Sequence, residues 1–279
     1  MNAMTETIYD LIVRASTVLP ADVQEKLKES MSDEKEFEIM RKNLEISQKS
    51  SLPICQDTGF PYFNLEISPE KTRFLPKILD AISAALKRAT ENGFLRPNSV
   101  DPITNENYGF NLGEGLPYVE LEWKDREDIL CRLLLKGGGS ENASGQYSLP
   151  MEELGAGRDR AGIVKTVLYH LQKIQGQGCG PGIVGIGIGG DRSLSMKIAK
   201  KQLFRPLDDK NPDPQLGELE EKILQMGNEL EIGVMGLGKG PTLLGAKAGK
   251  AARHPASFFV SVAYLCWVAR RDQCLLPIV

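Results

Sequence analysis

Glycine is spread unevenly along this chain of 279 residues, and its clustering limits the fold more than any other feature. Most of the 28 glycines fall between residues 137 and 249. They gather in KGGGSEN (Lys136–Asn142), GCGPG (Gly178–Gly182), GIGIGG (Gly185–Gly190) and GVMGLGK (Gly233–Lys239). A glycine inside a helix costs about 1 kcal/mol relative to alanine. Such runs therefore belong to turns, or to strands pressed against other backbone.

The first fifty residues read differently. Ile8, Leu11, Ile12 and Val18 suit one helix, VQEKLKES a second after Pro20, and Phe37, Met40 and Leu44 one side of a third. PICQDTG cannot continue a helix and reads as an ordered loop. YFNLEI, YVELEW and ILCRLLLK are strand candidates, the last two separated by the turn-prone KDRED. Helical patterns cover residues 68–93, GIVKTVLYHLQKIQ, LSMKIAKKQLF and QLGELEEKILQMGNEL. The expected fold is α+β: one domain over residues 1–279, an antiparallel sheet with surrounding helices, and an N-terminal helical segment of about fifty residues.

Two glycine runs imitate nucleotide motifs. GIGIGG satisfies GxGxxG, and an NAD(P)-linked oxidoreductase is the reading it offers. The acidic residues at the required spacing, Asp208 and Asp209, lie in a proline-rich segment rather than at a strand end. A glycine-rich strand packed on backbone is the favoured alternative. GVMGLGK is followed by Gly240 where a phosphate loop needs Ser or Thr, so a tight turn is preferred. KGGGSEN is balanced between a close approach of backbone and a flexible hairpin tip.

Charge and residue counts remove other classes. Lys+Arg total 34 against 37 for Asp+Glu, a formal net charge of −3 without the basic excess of a nucleic-acid binder. The apolar run Phe258–Val262 is too short to cross a bilayer, and the N-terminus lacks a secretory pattern, so a cytoplasmic protein is expected. The two histidines, His170 and His254, are far apart, which argues against zinc-hydrolase and serine-triad chemistry. Both read as structural on their own. Of the five cysteines, Cys131 reads as a buried thiol and Cys274 as terminal packing. Cys55 and Cys179 stand in Gly/Pro-rich turns, and Cys266 alone looks like a strand-end core residue.

PICQDTG, KGGGSEN, GCGPG with GIGIGGD, and GLGKGPTLLGAKAGKAARHPASFFVSVAYLC occur in this order. Together they resemble the α subunit of the iron–sulfur hydro-lyases, the class I fumarate hydratases and L-tartrate dehydratases, over about residues 5–272. The resemblance implies a [4Fe–4S] cluster held by Cys55, Cys179 and Cys266, which are separated by 124 and 87 residues and form no local motif. Three thiolates leave one iron open as a Lewis acid, where four would saturate the cluster. It also implies that Gln56, Asp57, Arg96, Gly138, Gly139 and His254 meet a small dicarboxylate substrate, with Asp57 and His254 as catalytic candidates. Arg96 would be the bidentate carboxylate partner.

The reaction so implied is reversible hydration of fumarate to L-malate, a step of the tricarboxylic acid cycle. Dehydration of L-tartrate to oxaloacetate is the alternative, and a non-catalytic iron–sulfur scaffold is a further one. Single-chain members of the family continue into a domain carrying the catalytic base and further carboxylate ligands. The resemblance therefore implies a β partner and an α2β2 heterotetramer.

Overall fold

A computed structural model describes residues 2–31 and 35–277. Its helices are α1 (Ala3–Thr17), α2 (Ala21–Met31), α3 (Lys35–Ser50), α4 (Leu75–Glu91), α5 (Gly138–Asn142), α6 (Arg160–Ile174), α7 (Arg192–Gln202) and α8 (Pro214–Asn228). The strands are β1 (Phe60–Ile67), β2 (Tyr118–Trp123), β3 (Leu130–Lys136), β4 (Gly145–Ser148), β5 (Gly182–Gly189), β6 (Leu243–Ala251), β7 (Phe259–Leu265) and β8 (Arg271–Leu275). The α+β class and the helical N-terminal segment hold. The chain packs as two compact units, residues 1–20, 40–138 and 270–279 in the first, and 21–39 and 139–269 in the second.

The first unit is built on a sheet of order β2-β1-β3-β8. Alternation along β1 and β3 turns Phe63, Leu65, Ile67, Cys131, Leu133 and Leu135 to one face. There they meet Ile8, Leu11 and Ile12 of α1 and Ile78, Ile82 and Leu86 of α4, all buried. β1 is parallel to β2 and antiparallel to β3. A parallel neighbour needs a crossover, and α4 lies in that connection. As a result β1 separates β2 from β3, although only KDRED and its neighbours part those two strands in sequence.

The second unit has a sheet of order β4-β7-β5-β6, with β5 parallel to β6 and antiparallel to β7. Each sheet is thus mixed: one parallel pair joins the antiparallel strands that the sequence leads one to expect. Val184, Ile186 and Ile188 of β5 face a core completed by Val167 and Leu171 of α6 and Leu219 and Ile223 of α8. The opposite face of β5 is glycine, because α7 lies against it. A Cβ at Gly185 would stand 2.1 Å from the Ala199 carbonyl oxygen, and one at Gly187 1.9 Å from that of Ser195. Gly185–Gly189 of GIGIGG therefore form a fully buried strand packed on helix backbone, and Gly190 turns the chain toward α7. GVMGLGK lies between α8 and β6, with Gly233, Met235, Gly236 and Gly238 at positive φ, which is turn geometry.

Candidate active site

In the first unit, the loop carrying Cys55, Gln56 and Asp57 joins α3 to β1. Its entry is fixed by backbone: the Ile54 N–H donates to Ser16 O (3.0 Å), and Asn43 Nδ2 donates to Ile54 O (2.9 Å). Its exit is fixed by Thr58, whose buried hydroxyl accepts from the Arg96 N–H (2.9 Å) and from Asn98 Nδ2 (3.2 Å). Asn111 Nδ2 in turn donates to Arg96 O (2.8 Å), so the Arg96 backbone is held from both sides. The Arg96 side chain is exposed and forms no ion pair among the described residues.

Asp57 ties this loop to the glycine run. Its Oδ1 accepts from the Gly59 N–H (3.0 Å) and its Oδ2 from the Gly138 N–H (2.8 Å). The approach is close enough to require glycine. A Cβ at Gly137 would lie 2.7 Å from Asp57 Oδ2, and one at Gly59 2.6 Å from the Leu135 carbonyl carbon. Close approach is thus the use of KGGGSEN at Gly137, and the run opens a short helix, α5, rather than a hairpin tip. Cys55 is half-buried, while Gln56, Asp57 and Gly138 are exposed. The first unit so gathers Cys55, Gln56, Asp57, Arg96 and Gly138 around one loop.

In the second unit, Cys179 precedes β5 and Cys266 follows β7. Antiparallel pairing of Ile183 with Leu265 sets those strand ends side by side. The Trp267 N–H donates to Cys179 O (3.3 Å), joining the two cysteine segments directly. Cys179 is exposed and has φ +57°, a left-handed backbone that costs a non-glycine residue of order 1–3 kcal/mol. Cys266 is half-buried, and its N–H donates to Ser140 Oγ (3.1 Å) on α5. Gly139 lies on the same short helix and is exposed.

Tyr264 fills the space behind the pair. Its ring occupies the room left by Gly178 and Gly182, where a Cβ would come within 2.2 Å of ring atoms. Burial raises the phenol pKa, and the nearby Cys266 and Cys179 sulfurs raise it further. This chemistry fits a sulfur-ligated cluster: two thiols at adjoining strand ends, flanked by glycine and by a neutral phenol. Among the described residues no three His, Cys, Asp or Glu side chains form a ready-made metal site.

His254 stands elsewhere. It lies between the end of β6 and the start of β7, the end of the sheet opposite Cys179 and Cys266. Its Nδ1 accepts from the Ala256 N–H (3.1 Å), which leaves Nε2 as the atom turned outward. Two arginines that sequence reasoning missed hold this turn rigid. Arg253 Nη1 donates to the carbonyls of His254, Pro255 and Ser257, and Arg158 Nη2 to that of Ala256 (2.8 Å). His170 is buried and structural: Tyr147 donates to its Nδ1 (2.9 Å), and its Nε2 donates to Ala143 O (2.9 Å).

Cys131 and Cys274 face each other across β3 and β8 in the first unit. Cys274 belongs to a strand rather than to loose terminal packing. The other residue missed from sequence is Arg270, whose guanidinium donates through Nη1 to the Asp57 carbonyl. One of two adjacent arginines after an apolar strand, Arg270 before Arg271, carries no periodic or motif signal.

The family profile described as fumarate hydratase (Fumerase) matches residues 5–274. A chain from Geobacillus stearothermophilus named as a class I fumarate hydratase is 47% identical over 281 residues, covering 97% of this chain and 54% of that protein. A Methanocaldococcus jannaschii chain named as an L(+)-tartrate dehydratase subunit alpha is 34% identical, covering 96% of this chain and 95% of the relative. The L(+)-tartrate dehydratase subunit alpha of Escherichia coli K12 is 29% identical, with 99% and 91% covered. This chain thus spans about half the length of the first relative and nearly all of the other two.

Proposed function

The chain belongs to the fumarate hydratase (Fumerase) family, and from that premise we propose that it is the α-type part of an iron–sulfur hydro-lyase that hydrates fumarate to L-malate. The greater identity to the class I fumarate hydratase relative supports fumarate over tartrate. The observation that carries the reading is the pairing of Cys179 with Cys266 at adjoining strand ends, joined through the Trp267 N–H. Cys55 would complete the ligand set for a [4Fe–4S] cluster. When bound, such a cluster with three thiolate ligands supplies an open iron as Lewis acid toward a hydroxyl and a carboxylate.

The chain's own residues then have distinct tasks. Arg96, with its backbone clamped and its guanidinium exposed, takes one carboxylate of the dianion in a bidentate pair. Gln56 offers its amide beside Cys55. Asp57, with both oxygens already held by N–H groups, fixes the Cys55 loop against Gly138 and keeps its charge oriented. The exposed backbone at Gly138 and Gly139 lets substrate approach without a side chain in the way.

His254 reaches such a centre only from a second copy of the chain, because its own Cys179 and Cys266 lie at the far end of the sheet. Its outward Nε2 is then a donor to the substrate hydroxyl. This requirement supports the two α copies of an α2β2 assembly. The relatives named as alpha subunits support a β partner, which would carry the proton-abstracting base and the ligands of the second carboxylate. Among the described residues no helix is long and apolar enough to cross a membrane, and a cytoplasmic enzyme is proposed.

The test is an anaerobic assay of the reconstituted chain with its partner on fumarate and on L-tartrate. A kcat/KM at least about tenfold higher for fumarate, roughly 1.4 kcal/mol of transition-state preference, is expected. A preference for tartrate moves the assignment to the dehydratase. Turnover of neither by cluster-loaded protein refutes the hydro-lyase reading.

A further inference from the structure

Arg270 is the largest of the fully buried side chains, 1% exposed. It follows Cys266 by four residues and begins the C-terminal segment of the first unit. Its position is set by β3, since the Leu135 N–H donates to Arg270 O (2.9 Å). The guanidinium runs beneath the Cys55–Gly59 loop. Nη1 donates to the carbonyl oxygen of Asp57, and Nη2 lies 3.5 Å from where a Gly137 Cβ would be.

The guanidinium forms no direct ion pair, although Asp57 Oδ2 and Arg270 Nη2 both flank Gly137, 2.7 and 3.5 Å from where its Cβ would be. Among the described residues no carboxylate pairs with it, and Nε has no hydrogen-bond partner. The Asp57 carboxylate accepts from the N–H groups of Gly59 and Gly138 instead of pairing with Arg270. A buried cation held by a carbonyl and not by a direct ion pair is costly to desolvate, and a fold keeps one only where something else offsets it. What Arg270 underlies is a half-buried cysteine loop, with Asp57 two residues beyond Cys55.

Resting on the function proposed above, we infer that Arg270 is the built-in counter-charge of the cluster and dicarboxylate site, and the residue that positions the Cys55–Asp57 loop. Thiolate ligands and a substrate dianion bring negative charge to this loop. A fixed guanidinium below the backbone offsets it without occupying a ligand position. The Asp57 carbonyl passes the constraint to Cys55, so Arg270 acts through the loop and is a positioning residue rather than a catalytic one.

A merely structural arginine and a counter-charge differ in sign. If Arg270 only packs, Arg270→Gln lowers the Tm of apoprotein and cluster-loaded protein alike. If it is a counter-charge, the apoprotein of Arg270→Gln melts at or above the wild-type temperature, because a buried charge with no direct ion pair has gone. The loaded variant should then lose iron to a chelator about 10–100-fold faster than wild type, the range found for supporting shells of metal sites. Arg270→Lys keeps the charge and should recover retention to within about threefold.

The experiment compares the full-length wild type and both variants, apo and anaerobically reconstituted, by thermal melting and by iron release. Equal iron retention in wild type and Arg270→Gln overturns the inference alone. So does an apoprotein of Arg270→Gln that melts lower or does not fold. A wild-type chain that takes up no cluster overturns the functional reading, and the inference with it.

Discussion

His254 offers the sharpest test of how the active site is assembled. β7 leads from the His254 turn to Cys266, and its residues Phe259–Leu265 alone span about 20 Å at roughly 3.3 Å per residue. That is several times the reach of an imidazole. Arg253 and Arg158 bind four successive or neighbouring carbonyls of the turn, so it cannot swing along the strand. If His254 serves the reaction, it serves the centre of another copy.

His254→Ala should therefore lower kcat/KM by about 10–100-fold, the loss of a hydrogen bond of about 1.5–3 kcal/mol to a charged or ionising group. Cys266→Ser should be inactive. Co-expressed with different tags, the two variants form a heterodimer in which the Cys266→Ser copy lends its intact His254 to the centre of the other. One of two centres is then complete, and about half of the wild-type activity should return in the isolated heterodimer. Activity no higher than the mean of the two parent homodimers would refute delivery of His254 across copies.

Two further outcomes concern the scaffold. Gly187→Ala places a Cβ 1.9 Å from the Ser195 carbonyl oxygen and must push α7 off β5, so urea unfolding should show a loss of at least about 2 kcal/mol. Burial holds the His170 pKa below its ordinary 6.5, against the opposing hydrogen bond to Ala143. The folded state then binds fewer protons than the unfolded chain, so stability is intact above pH 6.5 and falls as pH drops toward the lowered value. His170→Gln should flatten this dependence in Tm measured between about pH 5 and 7.

Legibility in the sequence followed the range of the interaction. Helical periodicity and proline or glycine stops mark α1, α4, α6 and α8, because those signals lie within one turn of each other. The glycine face of β5 was readable as strand, since β-branched Val184, Ile186 and Ile188 alternate with it. Insertion of β1 between β2 and β3 was not readable, because a parallel crossover through α4 leaves no mark on KDRED. β8 was also missed: Arg271–Leu275 is short and polar, and its pairing with β3 makes it a strand.

The candidate site divides the same way. Cys179 and Cys266 are 87 residues apart, and only the Ile183–Leu265 register brings their segments together. Family resemblance pointed to the cysteines; spacing alone did not. Arg270 and the arginines holding the His254 turn carry no local pattern, since what distinguishes them is the backbone they bind.

The proposed ligands of the cluster are Cys55, Cys179 and Cys266, with Cys131 and Cys274 outside the set. This ligand set is tested most directly by iron and sulfide content after anaerobic reconstitution of the wild type and all five Cys→Ser variants. About four iron and four sulfide per chain are expected in wild type, Cys131→Ser and Cys274→Ser, and near none in Cys55→Ser, Cys179→Ser and Cys266→Ser. Loss of iron from Cys131→Ser or Cys274→Ser, with retention in Cys266→Ser, would contradict this ligand set.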